Sequence, residues 1–238
     1  LTERKIQRSG SNFDLNPFSS NDINLLGLNT NIRNSLFYNR GKQKHSATYT
    51  FLNSRVKNLL SVGSQENTNA SHQLQYLHLY AKSWLLNLSG KTIATALASE
   101  NFASKNYEIN GFQVAPKLTY LFSKSTSWDV FYEYQKKSNT SGTAAYLQQN
   151  RFGSSFTYSG KKQFTMNGEV SLFQNKFDGN ELAPVAFQML EGLQVGENLT
   201  WRMLIQKNLT QFLDINLNYQ GRKSETSQAI HTGSIQLR

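Results

Sequence analysis

The sequence of 238 residues contains no cysteine and no long apolar run. Without cysteine there is no disulfide framework, no thiolate metal site and no thiol nucleophile. The longest apolar clusters, such as Trp84-Leu85-Leu86, are far shorter than the roughly 18 residues of a transmembrane helix. Helical membrane insertion is therefore excluded. The hydrophobic fraction of 38% is also low for an ordinary soluble core.

Aromatic residues and positive charge are abundant. Disordered chains combine low hydrophobicity with few aromatic residues, whereas 12% of this chain is Phe, Trp or Tyr, so we expect it to fold. Lys and Arg number 25 against 15 Asp and Glu, which gives a net charge of +10. A basic, ring-rich chain is also typical of single-strand nucleic-acid binders, in which rings and basic groups share one face.

Apolar and polar residues alternate with period two along most of the chain, a pattern that predicts β-strands. In the clearest segment, Leu213, Ile215 and Leu217 have one parity while Asp214 and Asn216 have the other. About eleven such segments follow residue 30, and none shows a helical period. Rings and polar side chains fall on opposite faces, which argues against nucleic acid and for contact with lipid.

Short and long connections alternate between the predicted strands. Short turns are predicted at 41–44, 81–83, 123–127, 159–162 and 207–210, and long polar loops at 63–70, 99–106, 137–143, 178–197 and 221–227. Outer-membrane barrels have short periplasmic turns and long extracellular loops, whereas a β-sandwich has no reason to keep this parity. The sequence therefore predicts an all-β fold, a transmembrane antiparallel up-and-down β-barrel of about 12 strands, or 14.

Aromatic and charged residues fit the two faces of such a barrel. Rings are expected at membrane interfaces, and charged strand residues are expected in the lumen because hydrocarbon penalises them by about 2–4 kcal/mol at mid-depth. The predicted lipid-facing or girdle residues are Tyr38, Tyr80, Trp84, Tyr120, Trp128, Tyr158, Phe164, Trp201, Ile215 and Leu217. The predicted lumen-facing residues are Arg33, Lys91, Lys117, Asp129, Glu133, Arg151, Glu169, Arg202 and Asp214.

The ends of the sequence resemble cut ends of a longer chain. Residues 1–5 contain neither an initiator methionine nor a signal segment, and residues 235–238 stop within an alternating pattern. We expect residues 1–29 to be an upstream strand or a loop or plug segment, and residues 30–238 to form the barrel.

Several segments in the second half of the sequence carry a resemblance to known proteins: Glu100-Asn101-Phe102, Asn106-Tyr107-Glu108-Ile109, Phe177-Asp178-Gly179-Asn180, Met189 to Gln194, Asn198-Leu199-Thr200-Trp201, Asn218 to Lys223 and Ile230-His231-Thr232-Gly233. They resemble the barrel ends of large outer-membrane proteins of Bacteroidota-type bacteria. The resemblance covers residues from about 100 onward well, and earlier residues loosely. It implies a cell-envelope barrel after a longer amino-terminal region, without a defined activity. The closing strands do not resemble those of TonB-dependent transporters, and Arg238 replaces the usual terminal aromatic residue.

The sequence contains no strong catalytic, cofactor or metal motif. The four histidines have no spacing that would place two imidazoles on one metal, and residues 152–156 lack the Gly-x-Ser-x-Gly motif of hydrolases. Asp178, Asn180 and Glu181 beside Gly179 are a weak calcium candidate, because they lack the full twelve-residue loop pattern. We therefore expect no enzyme, no cofactor and no bound metal.

The longest predicted loop, 178–197, is unusually apolar. Loops beyond about 12–15 residues are usually functional or disordered, and the apolar residues of this one must be buried somewhere. Two interpretations stay open: a lid or plug packed on its own barrel, or a docking surface for a partner anchored by Phe187 and Met189. The residues in question are Phe187, Met189, Leu190 and Leu193.

The function predicted from these features is that of a scaffold or subunit of a cell-envelope complex for secretion, assembly or uptake, integral to a bacterial outer membrane. Lumen charges of both signs could pair and close the interior. The expected partners are outer-membrane lipid, lipopolysaccharide and other envelope proteins, and not nucleic acid. A small-solute channel is one alternative, and a soluble β-sandwich that binds glycan is another.

Overall fold

The computed structural model describes residues 2–7, 23–41, 44–60, 63–160, 164–210 and 213–237. The strands are β1 Thr2–Gln7, β2 Ile23–Tyr38, β3 His45–Leu60, β4 Gly63–Tyr80, β5 Trp84–Ser99, β6 Tyr107–Leu121, β7 Thr126–Asn139, β8 Ala145–Gly160, β9 Phe164–Asp178, β10 Gly196–Thr210, β11 Leu213–Ser224 and β12 Ile230–Leu237. A 3₁₀ turn spans Ala103–Lys105 and helix α1 spans Pro184–Leu190. No helix in these ranges is long and apolar enough to cross a membrane.

All twelve strands belong to one antiparallel sheet, in which each strand pairs with its neighbours in the sequence. The predicted all-β, up-and-down arrangement of about 12 strands is therefore confirmed. Among the described residues no ladder joins β12 to β1, so the sheet is not closed. A sandwich requires two sheets packed face to face. The soluble β-sandwich alternative is wrong for a chain whose strands form a single meander.

The strand registers sort the side chains onto two faces. Residues directly opposite each other in an antiparallel pair point to the same side, and successive residues point to opposite sides. We call the side that carries Lys91, Glu133 and Arg151 the polar face, and the side that carries Val130 and Phe152 the apolar face. Large exposed apolar side chains of the strands lie on the apolar face, with Phe37 and Ile230 as the exceptions in the described part of the chain.

One transverse row of the polar face is polar on eight consecutive strands. Successive partners in β2 to β9 are Ser35, Thr50, Gln73, Lys91, Gln113, Gln135, Gln149 and Asn175. Hydrogen bonds link some neighbours directly: Gln149 Nε2 donates to Asn175 Oδ1 at 2.9 Å, and the hydroxyls of Ser35 and Thr50 lie 3.2 Å apart. The row shows that the polar face is continuous across the sheet.

The apolar face is apolar only near the short turns. In β6 the face reads Phe112, Val114, Pro116, Leu118 and Tyr120, whereas charged residues occupy the same face nearer the long loops. Those charged residues are Arg55, Lys57, Glu66, Glu108, Lys136, Lys176, Asp178, Glu197 and Lys223, and Lys207 is a charged residue on this face at the short-turn end of β10. A tilted membrane-spanning strand needs about 9–11 residues, and β4 has 18 and β9 has 15. The strands therefore extend beyond this apolar band toward the long loops.

The predicted long loop at 63–70 is wrong, because β4 begins at Gly63, which pairs with Leu60 at the end of β3. The polar residues of this segment can form a strand because polar side chains are accommodated on both faces of the sheet here. Asn67 and Asn69 lie on the polar face opposite Val56 and Ser54. On the other face the Arg55 guanidinium pairs with the Glu66 carboxylate at 2.7 Å.

Leu77 and Leu79 are apolar residues that lie on the polar face. Their partners across the ladder are Asn87 and Leu85. Strand β2 crosses residue 29, and β1 pairs with β2 in the same sheet. The division of the chain into residues 1–29 and 30–238 stays a prediction.

Helix α1 contradicts the expectation that no segment is helical. It begins with Pro184 in its first turn, where the missing N–H of proline costs no hydrogen bond. It ends at Leu190 and is capped by Glu191 in the left-handed conformation, with φ of 55°, followed by Gly192 with φ of 78°. Seven residues are too few for a helical period to emerge from the sequence.

We predict that Gly153→Ala destabilises the sheet. Gly153 lies opposite Phe131 on the polar face, and a methyl group there would overlap the Phe131 ring. Overpacking of this kind costs about 1–3 kcal/mol. Gly168→Ala is the matched control, because an added methyl group at Gly168 has nothing within 4 Å. The temperature at which the folded form is lost on gels in detergent should fall for Gly153→Ala alone; equal values for both variants would contradict the argument.

Candidate functional site

The strand registers place every predicted lumen-facing residue on one face of the sheet and every predicted lipid-facing residue on the other. All nine residues predicted to face the lumen, from Arg33 to Asp214, lie on the polar face. All ten residues predicted to face lipid, from Tyr38 to Leu217, lie on the apolar face. That the polar face meets a lumen and the apolar face meets lipid stays a prediction.

Four charged residues of alternating sign form a chain across β7 to β10. Arg151 Nη2 lies 2.7 Å from Glu169 Oε1, and Arg151 Nη1 lies 3.7 Å from Glu133 Oε2. Arg202 Nη2 lies 3.2 Å from the second oxygen of Glu169. Because two cations alternate with two carboxylates, this part of the polar face has no net charge.

The Arg151 guanidinium is held on several sides. It lies 4.9 Å from the centroid of the Phe131 ring and 5.1 Å from that of Phe173. Its Nε and Nη2 each donate to Ser171 Oγ at 3.2 Å. A planar guanidinium suits both ring stacking and forked hydrogen bonding, which a lysine ammonium would not reproduce. Arg151 therefore organises the centre of the charged chain.

Asp129 forms a second cluster two rows away from Arg151, on the side of the short turns. Its carboxylate accepts hydrogen bonds from Thr119 Oγ1 and, at 2.9 Å, from Ser155 Oγ. Lys117 Nζ lies 3.9 Å from the same carboxylate. Of the predicted lumen residues, Arg33, Lys91 and Asp214 have no ion-pair partner within the described ranges.

Helix α1 packs on the polar face and forms the main apolar cluster of the described chain. Its buried residues Val185, Met189 and Leu190 pack with Tyr107, Ile109, Ala145 and Leu147 of β6 and β8. Met189 and Leu147 are both 0% exposed. Burying one such side chain contributes about 1.5–3 kcal/mol, so the helix is firmly seated.

Lys137 binds the carboxyl end of helix α1. This lysine of β7 is only 5% exposed, and its Nζ donates to the Met189 carbonyl oxygen at 3.1 Å and to Glu191 Oε1 at 2.6 Å. The last carbonyls of a helix lack partners within the helix and attract cations. Lys137 was predicted to lie in the loop 137–143 and not among the site residues, whereas β7 continues to Asn139.

The rest of the connection 179–195 is tied to three further strands. Gln194 is the main anchor: its carbonyl accepts from Asn175 Nδ2 at 2.8 Å and from Asn198 Nδ2 at 2.7 Å. Arg222 Nη1 donates to the Gly192 carbonyl at 3.3 Å. The connection therefore lies folded over the polar face.

The four loop residues singled out in the sequence have different environments. Met189 and Leu190 are buried within the chain and Leu193 is half-buried, as a lid packed on its own sheet requires. Phe187 is 72% exposed, and neighbouring Leu182 is 95% exposed. Met189 is thus inaccessible to a partner, whereas Phe187 is accessible.

The weak calcium candidate is not assembled. Asn180 Oδ1 accepts a hydrogen bond from the Leu182 backbone N–H at 3.0 Å, as in an Asx turn, and both Asp178 and Glu181 are exposed. Within the described ranges there is no group of three or more His, Cys, Asp or Glu residues able to hold a metal ion. The hypothesis of a calcium site gains no support from this geometry.

The chain shows structural similarity to solved proteins of low sequence identity. No family model and no curated protein matches the chain. Among solved structures, the siderophore receptor PiuA from Acinetobacter baumannii aligns over 90% of this chain at 10% identity and a TM-score of 0.47. BamA from Haemophilus ducreyi lacking POTRA domains 1-3 aligns over 93% at 9% identity and a TM-score of 0.28. The chain spans 45% and 62% of the lengths of these two structures.

We predict that Lys137→Ala loosens helix α1. The variant leaves the Met189 carbonyl without its partner in a buried site, which costs about 1–3 kcal/mol. Limited proteolysis should then cleave the connection 179–195 faster than in the unmodified chain. Lys136→Ala is the matched control, since this adjacent residue lies on the apolar face beside the Tyr134 ring. Equal cleavage rates in the two variants would show that Lys137 does not hold the helix.

Proposed function

We propose that this chain forms the wall of a bacterial outer-membrane β-barrel, with its apolar face against lipid and its polar face toward the lumen. The observation that supports this most directly is the contrast between the faces. Exposed rings and aliphatic side chains, including Trp84, Phe112, Val130, Phe152 and Val170, occupy one face of a single sheet. A soluble monomer rarely exposes an apolar patch of more than a few hundred Å², whereas a barrel wall in lipid requires one.

The two edges of the sheet must be paired in such a barrel. In hydrocarbon every backbone N–H and C=O must be paired, so only closed sheets span a bilayer. Strands β1 and β12 have no partner on their outer sides among the described residues. In the membrane these edges therefore pair with each other or with further strands.

Within the envelope the proposed role is that of a scaffold or complex subunit with a closed interior. The charges of the four paired residues Glu133, Arg151, Glu169 and Arg202 cancel one another. Helix α1 covers the polar face near the long loops. The exposed Phe187 and Leu182 offer apolar contact area to another envelope protein. The lipid partners are outer-membrane lipid and lipopolysaccharide. The proposal includes neither nucleic-acid binding nor catalysis.

A small-solute channel is the second candidate function. It is favoured by a polar cavity of about 360 Å³ that remains between the polar face and helix α1. Conductance distinguishes the two candidates, because a scaffold needs no continuous aqueous path.

Membrane orientation is tested by a pair of adjacent substitutions in β11. Ile215 lies on the apolar face and Asn216 on the polar face. We expect Ile215→Arg to cost about 2–4 kcal/mol and to impair assembly into outer membranes, since it places a charge in hydrocarbon. Asn216→Arg should be tolerated. Assembly is measured by membrane fractionation and heat-modifiable gel mobility, and the same tolerance at both positions would refute the assignment of the faces.

Closure of the interior is tested in planar bilayers. We expect the purified protein to conduct poorly, because paired charges and helix α1 leave little aqueous cross-section. Removing the helix by replacing residues 183–193 with a Gly/Ser linker should raise the conductance. Large, steady single-channel currents from the unmodified protein would favour the channel over the scaffold.

A further inference from the structure

The cavity under helix α1 has features of a binding site. Its volume of about 360 Å³ lies at the lower end of the range of small-molecule sites, roughly 300–1,000 Å³. Strands β5, β6 and β7 contribute Lys91, Gln113 and Gln135 to its wall. Gln188 and Glu191 contribute from the side of the helix.

The charges around this cavity do not balance. Two of its three cations have partners: Lys137 pairs with Glu191, and Arg151 lies between Glu133 and Glu169. Lys91, the third, has no carboxylate within 4.0 Å in the described part of the chain. It is only partly exposed. Charges withdrawn from water are normally paired, so Lys91 leaves a positive charge available to a ligand.

Two amides beside Lys91 are available as hydrogen-bond donors. Gln113 is the direct register partner of Lys91, and Gln135 is the next residue in the same row. Gln135 is 4% exposed. Neither side chain makes a hydrogen bond to another described residue, and neither has a fully enclosed, unsatisfied atom. Their amide groups therefore open into the cavity, where each NH₂ can donate to an acceptor.

We propose that this cavity binds a small solute through a carboxylate or phosphate group. The Lys91 ammonium supplies the charge, and the Gln113 and Gln135 amides donate hydrogen bonds to the oxygens. Charge-assisted hydrogen bonds of this type are the strongest that such a site can offer. A cationic ligand fits poorly, since the carboxylates of Glu133 and Glu191 already have cationic partners.

The test measures binding of two probes to the full chain in detergent. Isothermal titration with inorganic phosphate and, separately, with succinate distinguishes the two oxyanion classes. At least one should bind saturably with one site per chain. Lys91→Gln should weaken that binding about tenfold or more, the effect of losing one charge-assisted hydrogen bond, while Lys91→Arg should retain most of it.

Lys117→Gln is the control for general loss of positive charge, because Lys117 lies on the polar face next to Asp129 and outside this cavity. It should leave binding unchanged. Gln135→Leu tests the site independently of Lys91 and should also weaken binding. If neither probe binds saturably, or if Lys91→Gln and Lys117→Gln bind equally, the proposal is wrong. The measurement needs no bilayer, so its outcome is independent of the membrane assignment.

Discussion

In-register cross-strand pairing is the interaction on which the rest of this structure depends. A slip of one residue would exchange the two faces of a strand, placing Glu133 or Arg151 among the rings of the apolar face. The row from Ser35 to Asn175 keeps one side polar over eight strands, which only a consistent register can produce. The charged chain, the seat of helix α1 and the cavity beneath it all follow from this consistency, because each is assembled from neighbouring strands.

The strands and their faces could be predicted from the sequence because their signal is local and repeated. A period of two is visible within a single strand, as in Leu213, Ile215 and Leu217. The failures occurred where local composition misleads. Residues 63–70 are mostly polar at both odd and even positions, so they show no alternation of apolar and polar residues. They nevertheless form a strand, because they pair with β3 and β5. Lys137 was assigned to a loop by its polar neighbours, and its real environment depends on a helix 47 residues further along the chain.

The candidate site was predictable only in part, because its contacts join residues that are far apart in the sequence. Alternation placed Arg151 and Glu169 on one face, but their pairing depends on the stagger between β8 and β9, which no single strand encodes. Arg151 contacts the rings of Phe131 and Phe173, which lie on the polar face, although rings were expected on the opposite face. Helix α1 was not predicted, because seven residues are too few to show a helical period, even though Pro184 lies in its first turn. Tertiary contacts, and not propensity, decide these features.

Because the strands extend beyond the apolar band, two ion pairs of the polar face have different surroundings. Arg151 and Glu169 have apolar-face neighbours, Phe152 and Val170, that lie within the band. Lys137 and Glu191 lie beyond it, beside Lys136, and the Glu191 side chain is 63% exposed. Mobile ions screen exposed charges over about 8 Å at physiological ionic strength but screen enclosed pairs much less. Salt therefore weakens the Lys137–Glu191 pair more than the Arg151–Glu169 pair, whose side chains are only 25% and 27% exposed, so two parts of one sheet respond differently to the same solution.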